Sequence, residues 1–119
     1  MNILIIDDNK DITDAISLFA ESQGHICIIS NDGKEGYNKI KNEDFDLILL
    51  DIAMPEFSGY DILSKLSGGG DFDMSKIVVI TASNLDSKAS LQIEDLGIFK
   101  LERKPLSLEA LTNIFSKFA

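Results

Sequence analysis

The sequence predicts an α/β protein in which a five-stranded parallel sheet carries helices on both faces. Two observations lead there. Short apolar runs alternate with segments of helical period about five times, with brief connections, which is the pattern of repeated β-α units. The stretch Leu47–Gly59, reading L-I-L-L-D-I-A-M-P-E-F-S-G, opens with an unbroken apolar run closed by a single acid. Such a run fits a strand buried on both faces, as parallel sheets require. Right-handed crossovers then leave few topologies. A length of 119 residues suits one compact unit spanning 1–119.

Taken in order, Asn2-Ile3-Leu4-Ile5-Ile6 forms β1 and stops abruptly at Asp7-Asp8-Asn9. Ile12, Ala15, Ile16 and Phe19 fall at i, i+3, i+4 and i+7, so they line one face of a helix, α1, which Gly24 terminates. Ile26 to Ile29 supplies β2, and Asn31-Asp32-Gly33 turns the chain into a polar helix α2 over 34–42, with Tyr37 and Ile40 inward. β3 is the run ending at Asp51. Helix α3 starts near Ser58, a suitable N-cap, carries Ile62, Leu63 and Leu66, and ends at Gly68-Gly69-Gly70. That triple glycine follows a helix, whereas nucleotide-binding glycine loops sit between a strand and a helix, so it reads as a flexible loop. Lys76 to Ile80 is β4, which delivers Thr81-Ala82-Ser83 to its exit. Helix α4 over 86–96 has no tidy apolar stripe. Ile98 to Arg103 is β5, whose charges Lys100, Glu102 and Arg103 suit an edge strand. Lys104-Pro105 closes it, and Leu108, Leu111, Phe115 and Phe118 mark an amphipathic helix α5.

Composition narrows the function. Hydrophobic residues make up 45% of the chain, and the mean hydropathy of +0.08 is that of an ordinary globular protein. No run approaches the ~18 apolar residues of a membrane span, and no signal-type segment opens the chain, so a cytoplasmic protein with no membrane partner is expected. A net charge of −9 opposes direct binding to nucleic acid, since phosphate recognition rests on Lys and Arg. Partners should be proteins. The single cysteine, Cys27, reads as a small buried hydrophobe, and the lone His25 as a loop or surface residue rather than a metal ligand.

Asp51 alone is ambiguous: a carboxylate delivered to the ligand-binding edge of an α/β sheet, or a local cap for the following loop. What weighs in favour of chemistry is the company. The exits of β1, β3, β4 and β5 carry Asp7-Asp8, Asp51, Thr81 and Lys104. Two unit charges about 4 Å apart repel by roughly 4 kcal/mol at an effective dielectric of 20, so three clustered carboxylates call for a cation. All-oxygen ligation favours Mg²⁺. Lys104 could still be a solvated amine, and Thr81 an ordinary strand residue.

The D-D pair, D-x-x-M-P-x-x-x-G, T-A and K-P, in this order and at strand ends, resemble the CheY-like receiver domains of two-component response regulators along the whole chain. The resemblance implies a flavodoxin-like (βα)5 three-layer sandwich with strand order 2-1-3-4-5. It implies that Asp51 accepts a phosphoryl group from a phosphohistidine on a sensor histidine kinase or phosphotransfer protein. It also implies Mg²⁺ ligation by Asp8 and Asp51, by Asp7 through water, and by the backbone carbonyl of Ala53. Lys104, the Thr81 hydroxyl and the Ala82 N–H would hold the phosphoryl group. The protein would then be a signalling domain, not an enzyme beyond its own phosphorylation and dephosphorylation, and would contact a downstream protein through its α4-β5-α5 face. A cis peptide before Pro105 belongs to the same pattern.

The match departs at Leu101, where receivers usually carry an aromatic residue that rotates inward during switching. Ala53 and Ser83, small residues beside the path of an attacking water, leave the lifetime of the phosphorylated state open. The chain reads either as a stand-alone receiver or as one domain of a longer regulator. An atypical receiver working by constitutive protein binding is the main alternative. A flavodoxin-like cofactor protein would need a Ser/Thr-rich phosphate loop where Asp7-Asp8-Asn9 stands.

Overall fold

The computed structural model describes residues 1–82 and 85–118. Five parallel strands run in the order β2-β1-β3-β4-β5, as the resemblance implied. They are β1 (Asn2–Ile6), β2 (Ile26–Ser30), β3 (Leu47–Asp51), β4 (Ile77–Thr81) and β5 (Lys100–Arg103). The helices are α1 (Lys10–Ser22), α2 (Gly33–Asn42), α3 (Gly59–Gly69), α4 (Ser87–Glu94) and α5 (Leu108–Phe118).

The two-residue period of the strands divides the core in two. Leu4, Ile6, Ile48, Leu50, Ile77 and Val79 face α2, α3 and α4, where they meet Ile40, Ile62, Leu63, Leu66 and Ile93. Ile3, Ile5, Leu47, Leu49, Val78 and Ile80 face the other way, onto Ile16 and Ala20 of α1 and Leu111, Ile114 and Phe115 of α5. Because β1, β3 and β4 are covered on both sides, their sequences are apolar without alternation. β2 and β5 are the edges, which explains the exposed Ile26 and the Lys100–Glu102 ion pair of 2.7 Å.

Several boundaries differ from the sequence expectation, each for a local reason. Lys76 does not belong to β4 but closes a single 3₁₀ turn, Met74–Lys76, capped by the Asp73 carboxylate. Gly68 and Gly69 lie in the last turn of α3 rather than in a loop; Gly70 alone takes the left-handed conformation, φ 76°, and ends the helix. β5 begins at Lys100, after Phe99 has bonded to the Ile77 carbonyl. α4 is two residues shorter at its C-terminal end and buries Ile93, while Leu91 stays exposed. Cys27 is half-buried rather than buried, because its strand is an edge. His25 is half-buried too, taking the N-terminal ammonium at Nδ1 (3.1 Å) and packing edge-on against Phe115. Ser83 lies outside the described residues.

Two features fix the segment that follows β3. Ser58 caps α3 in a reciprocal box with Asp61: the Asp61 N–H donates to the Ser58 hydroxyl oxygen (3.3 Å), and the Asp61 carboxylate accepts the Ser58 N–H (2.8 Å). Gly59 lies against the β3 exit so closely that a Cβ there would meet the Asp51 carbonyl oxygen at 2.5 Å and Ile52 Cα at 2.7 Å. The glycine of the D-x-x-M-P-x-x-x-G motif is thus a packing requirement for the Asp51 backbone. Gly59→Ala should lower unfolding free energy by about 2–3 kcal/mol, since only backbone can give way. Gly68→Ala, in a helical turn with open space, should raise it by about 0.5–1 kcal/mol. Urea denaturation distinguishes the two; a neutral Gly59→Ala would show that the close approach is not binding.

Candidate functional site

The site forms because the sheet ends at nearly one level. Ile6 pairs with Leu50, so Asp7 and Asp51 leave neighbouring strands side by side. Asp51 pairs with Ile80 and Thr81 with Arg103, so Thr81 and Lys104 follow within one residue step, about 3.3 Å. The Lys104 N–H donates to the Thr81 carbonyl at 2.7 Å, which ties the end of β5 to that of β4. The Lys104–Pro105 peptide is cis.

At the mouth of this edge, one carboxylate oxygen from each of Asp7, Asp8 and Asp51 lies within 4.8 Å of the others. Asp7 and Asp51 are buried, at 2% and 1% exposure, and Asp8 is exposed. The Lys104 ammonium sits between the buried pair, 3.0 Å from Asp7 Oδ2 and 3.3 Å from Asp51 Oδ1. Asp7 Oδ1 accepts the Asn9 N–H at 2.9 Å, and Asp51 Oδ1 accepts that of Ala53 at 3.4 Å. Among the described residues, Asp51 Oδ2 is buried without a hydrogen-bond partner. Among those residues, Asp7 Oδ2 has its ion pair with Lys104 and nothing else.

Charge is unbalanced here, with three carboxylates against one ammonium. Burial, followed by the charge of Asp7, pushes the Asp51 carboxyl up to about 6 against the pull of Lys104. For Lys104, burial works against the ammonium, but its hydrogen bond to Asp7 and the charges of Asp51 and Asp7 outweigh this and raise its pKa. A raised carboxyl beside a raised amine in a crevice makes this the candidate functional site on physical grounds.

Of the residues singled out in the sequence, Asp7, Asp8, Asp51 and Lys104 therefore share one basin. Thr81 is buried at the β4 exit, with its hydroxyl donating to the Ala82 carbonyl at 3.1 Å. Ala82 is exposed just beyond it, and Ala53 is exposed in the loop leaving Asp51. In the same loop Glu56 takes φ 63°, a left-handed conformation that costs a non-glycine residue on the order of 1 kcal/mol. Leu101 is half-buried against the cluster that includes Val79 and Ile93.

Two supporting residues carried no functional signal in the sequence. Asn9 looks like an end to the acidic pair, yet its side chain caps α1 by accepting the N–H groups of Asp11 and Ile12. Asn31 reads as a turn residue, yet its side chain reaches the Asp7 carbonyl at 2.8 Å. Only knowledge that β1 and β2 are adjacent could have connected it to the acids.

A family model described as the response regulator receiver domain matches residues 3–116. Response regulator SaeR of Staphylococcus epidermidis is 32% identical over 106 residues, covering 89% of this chain and 44% of that protein. Response regulator GtcR of Aneurinibacillus migulanus is 31% identical over 113 residues, covering 94% and 45%. The chain thus spans less than half the length of these curated relatives. Among solved structures, a CheY-like receiver domain protein from Methanospirillum hungatei matches with TM-score 0.85 and 29% identity, over 98% of this chain and 92% of that one. The chemotaxis protein CheY4 of Vibrio cholerae matches with TM-score 0.85 over 99% and 98%; at 19% identity it speaks for the fold. With the family model matched across nearly its whole length and the acidic pocket at the carboxyl edge of a 2-1-3-4-5 sheet, the chain belongs to the response regulator receiver domains of two-component signalling.

Proposed function

We propose that residues 1–119 work as one receiver unit in which Asp51 takes a phosphoryl group from a phosphohistidine on a sensor histidine kinase or phosphotransfer protein. The observation that carries this is Asp51 Oδ2, a buried carboxylate oxygen with no hydrogen-bond partner among the described residues, beside an ammonium and two further acids. Oδ1 is occupied by Lys104 and the Ala53 N–H, which leaves lone pairs on the second oxygen for a nucleophilic role.

The donor set fits Mg²⁺. All its side-chain ligands are carboxylate oxygens, and one ammonium against three acids leaves the cluster negative. Asp8 and Asp51 would hold the ion directly, Asp7 through water, with the Ala53 carbonyl completing the protein's share. When bound, the ion offsets charge on the transferring oxygens.

An Asp51 oxygen forms a bond to phosphorus as the P–N bond of the donor breaks, and that electron pair returns to the imidazole nitrogen, which takes up a proton. The Lys104 ammonium turns from the carboxylates to the phosphoryl oxygens. Thr81 exchanges the Ala82 carbonyl for the product phosphoryl as the acceptor of its hydroxyl proton, and the Ala82 N–H donates alongside it. Hydrolysis of the acyl phosphate returns the starting state, so the turnover is the domain's own. The signal passes to a downstream protein through α4, β5 and α5, in the cytoplasm, with no direct part for nucleic acid or membrane.

Leu101 motivates a second reading, a receiver whose output face binds a partner constitutively. With beryllofluoride and Mg²⁺, a switching receiver moves the backbone NMR signals of α4, β5 and α5; changes confined to the pocket favour the constitutive module.

Incubation with acetyl phosphate and Mg²⁺, followed by mass spectrometry, should add one phosphoryl group to the wild type and none to Asp51→Asn. Lys104→Ala should be phosphorylated on the order of 100-fold more slowly. An adduct on Asp51→Asn would remove Asp51 from the role.

A pH dependence follows with a definite sign. Asp51 binds its proton more tightly folded than unfolded, its pKa being about 6 against an ordinary 3.8. Its contribution to stability is therefore fully present below pH ~4 and is lost as pH rises through ~6. Without metal, the melting temperature of Asp51→Asn should gain several degrees on that of the wild type between pH 4.5 and 7.5, and Mg²⁺ should narrow the gap. A gap independent of pH would contradict the raised pKa that burial and Asp7 impose on Asp51.

A further inference from the structure

Asn31 lies in the connection between β2 and α2, 24 residues from Asp7 in sequence. Its side-chain nitrogen donates twice, to the Asp7 backbone carbonyl at 2.8 Å and to Thr13 Oγ1 at 3.0 Å. A carbonyl only accepts, so the amide has one possible orientation here. Thr13 is fully buried, and its own hydroxyl donates to the Lys10 carbonyl at 3.0 Å. The amide is thus anchored to the first turn of α1 while it grips the end of β1.

The Asp7 N–H makes the last bond across to β2, to the Ser30 carbonyl at 3.1 Å. Beyond it, Asn31 takes over from the sheet. The Asp7 carbonyl shares a rigid plane with the Asp8 N–H, so holding one sets the direction in which the chain enters Asp8. The two acids depend on this unequally. The Asp7 carboxylate has its own restraints in the Asn9 N–H and Lys104. Among the described residues, the Asp8 carboxylate has neither a hydrogen bond nor an ion pair, so its place within 4.8 Å of Asp7 and Asp51 is set by its backbone.

We infer that Asn31 is a positioning residue for the divalent-cation site: by fixing the Asp7–Asp8 peptide through the Asp7 carbonyl, it keeps the otherwise unrestrained Asp8 carboxylate at ligand spacing. This rests on the metal-assisted receiver reading, and it assigns part of the site's affinity to a residue that touches neither ion nor phosphoryl group.

The test is Mg²⁺ titration by calorimetry, with melting temperatures measured in parallel without metal. Asn31→Ala should weaken Mg²⁺ binding about tenfold, the usual scale for losing a support behind a metal ligand. Thr13→Val breaks the anchor but keeps the Asn31 bond to Asp7, so it should lose stability and bind Mg²⁺ within about twofold of wild type. Asn31→Asp keeps the shape and loses the donor; its added negative charge would by itself tighten cation binding, so weaker binding in that variant again marks lost positioning. In the wild type, the Asn31 side-chain amide NMR signals should shift with the same Mg²⁺ midpoint as the Asp8 backbone amide, a readout that needs no variant. Unchanged affinity in Asn31→Ala, equal weakening in Thr13→Val, or Asn31 signals indifferent to Mg²⁺ would overturn the inference and leave the receiver reading intact. A wild type that binds no Mg²⁺ would overturn both.

Discussion

Mutual repulsion among Asp7, Asp8 and Asp51 is the constraint to which the rest of the structure answers. Within 4.8 Å of one another these charges repel, most strongly between the buried Asp7 and Asp51 and less at the solvent-screened Asp8, and a single ammonium offsets only part of that. Nothing local favours such a cluster. It persists because β1, β3 and β4 are buried on both faces and cannot slip by one residue without turning every apolar side chain away from its own layer. The stable part of the molecule holds the unstable part in place, and a cation bound under the proposed function would relieve that repulsion.

Division of the core into two layers separates these duties. The side chains that make the fold lie along the strands, whereas those of the site begin one residue beyond them. Thr81 and Asp51 are the exceptions, closing β4 and β3 while buried, and of the two only Asp51 brings a charge. The cost of that burial appears as its raised pKa, and the segment after it is correspondingly well secured, by the Ser58–Asp61 box and by Gly59 against the Asp51 carbonyl. Strain is tolerated in the same loop at Glu56. Local rules are broken where chemistry is expected and obeyed elsewhere.

The fold was legible because its signals are periodic and local. The apolar runs at Ile3–Ile6, Leu47–Leu50 and Ile77–Ile80 define doubly covered strands, and the acids and hydroxyl at their exits, with the lysine after β5, define a shared edge once the strands are parallel. Less was legible where meaning depends on a neighbour. Gly68 and Gly69 resemble a loop until Gly70 is seen to supply the terminating turn. Cys27 looks buried until β2 proves to be an edge. Leu101 departs from the usual aromatic of the family, and it lies half-buried opposite Val79 in the sheet and against the core layer. The role of Asn31 could not be read at all, since an Asn-Asp-Gly sequence signals a turn, and its bond to Asp7 exists only in three dimensions.

The most direct measurement of the central claim is the pH titration of the Asp51 side-chain carboxyl by carbon NMR, with and without Mg²⁺. The crowded pocket predicts a midpoint near 6 in metal-free protein, falling toward the ordinary carboxylate range or below when the cation is added. A midpoint near 4 that is indifferent to Mg²⁺ would mean that neither burial nor Asp7 acts on Asp51 as described and that no ion is shared.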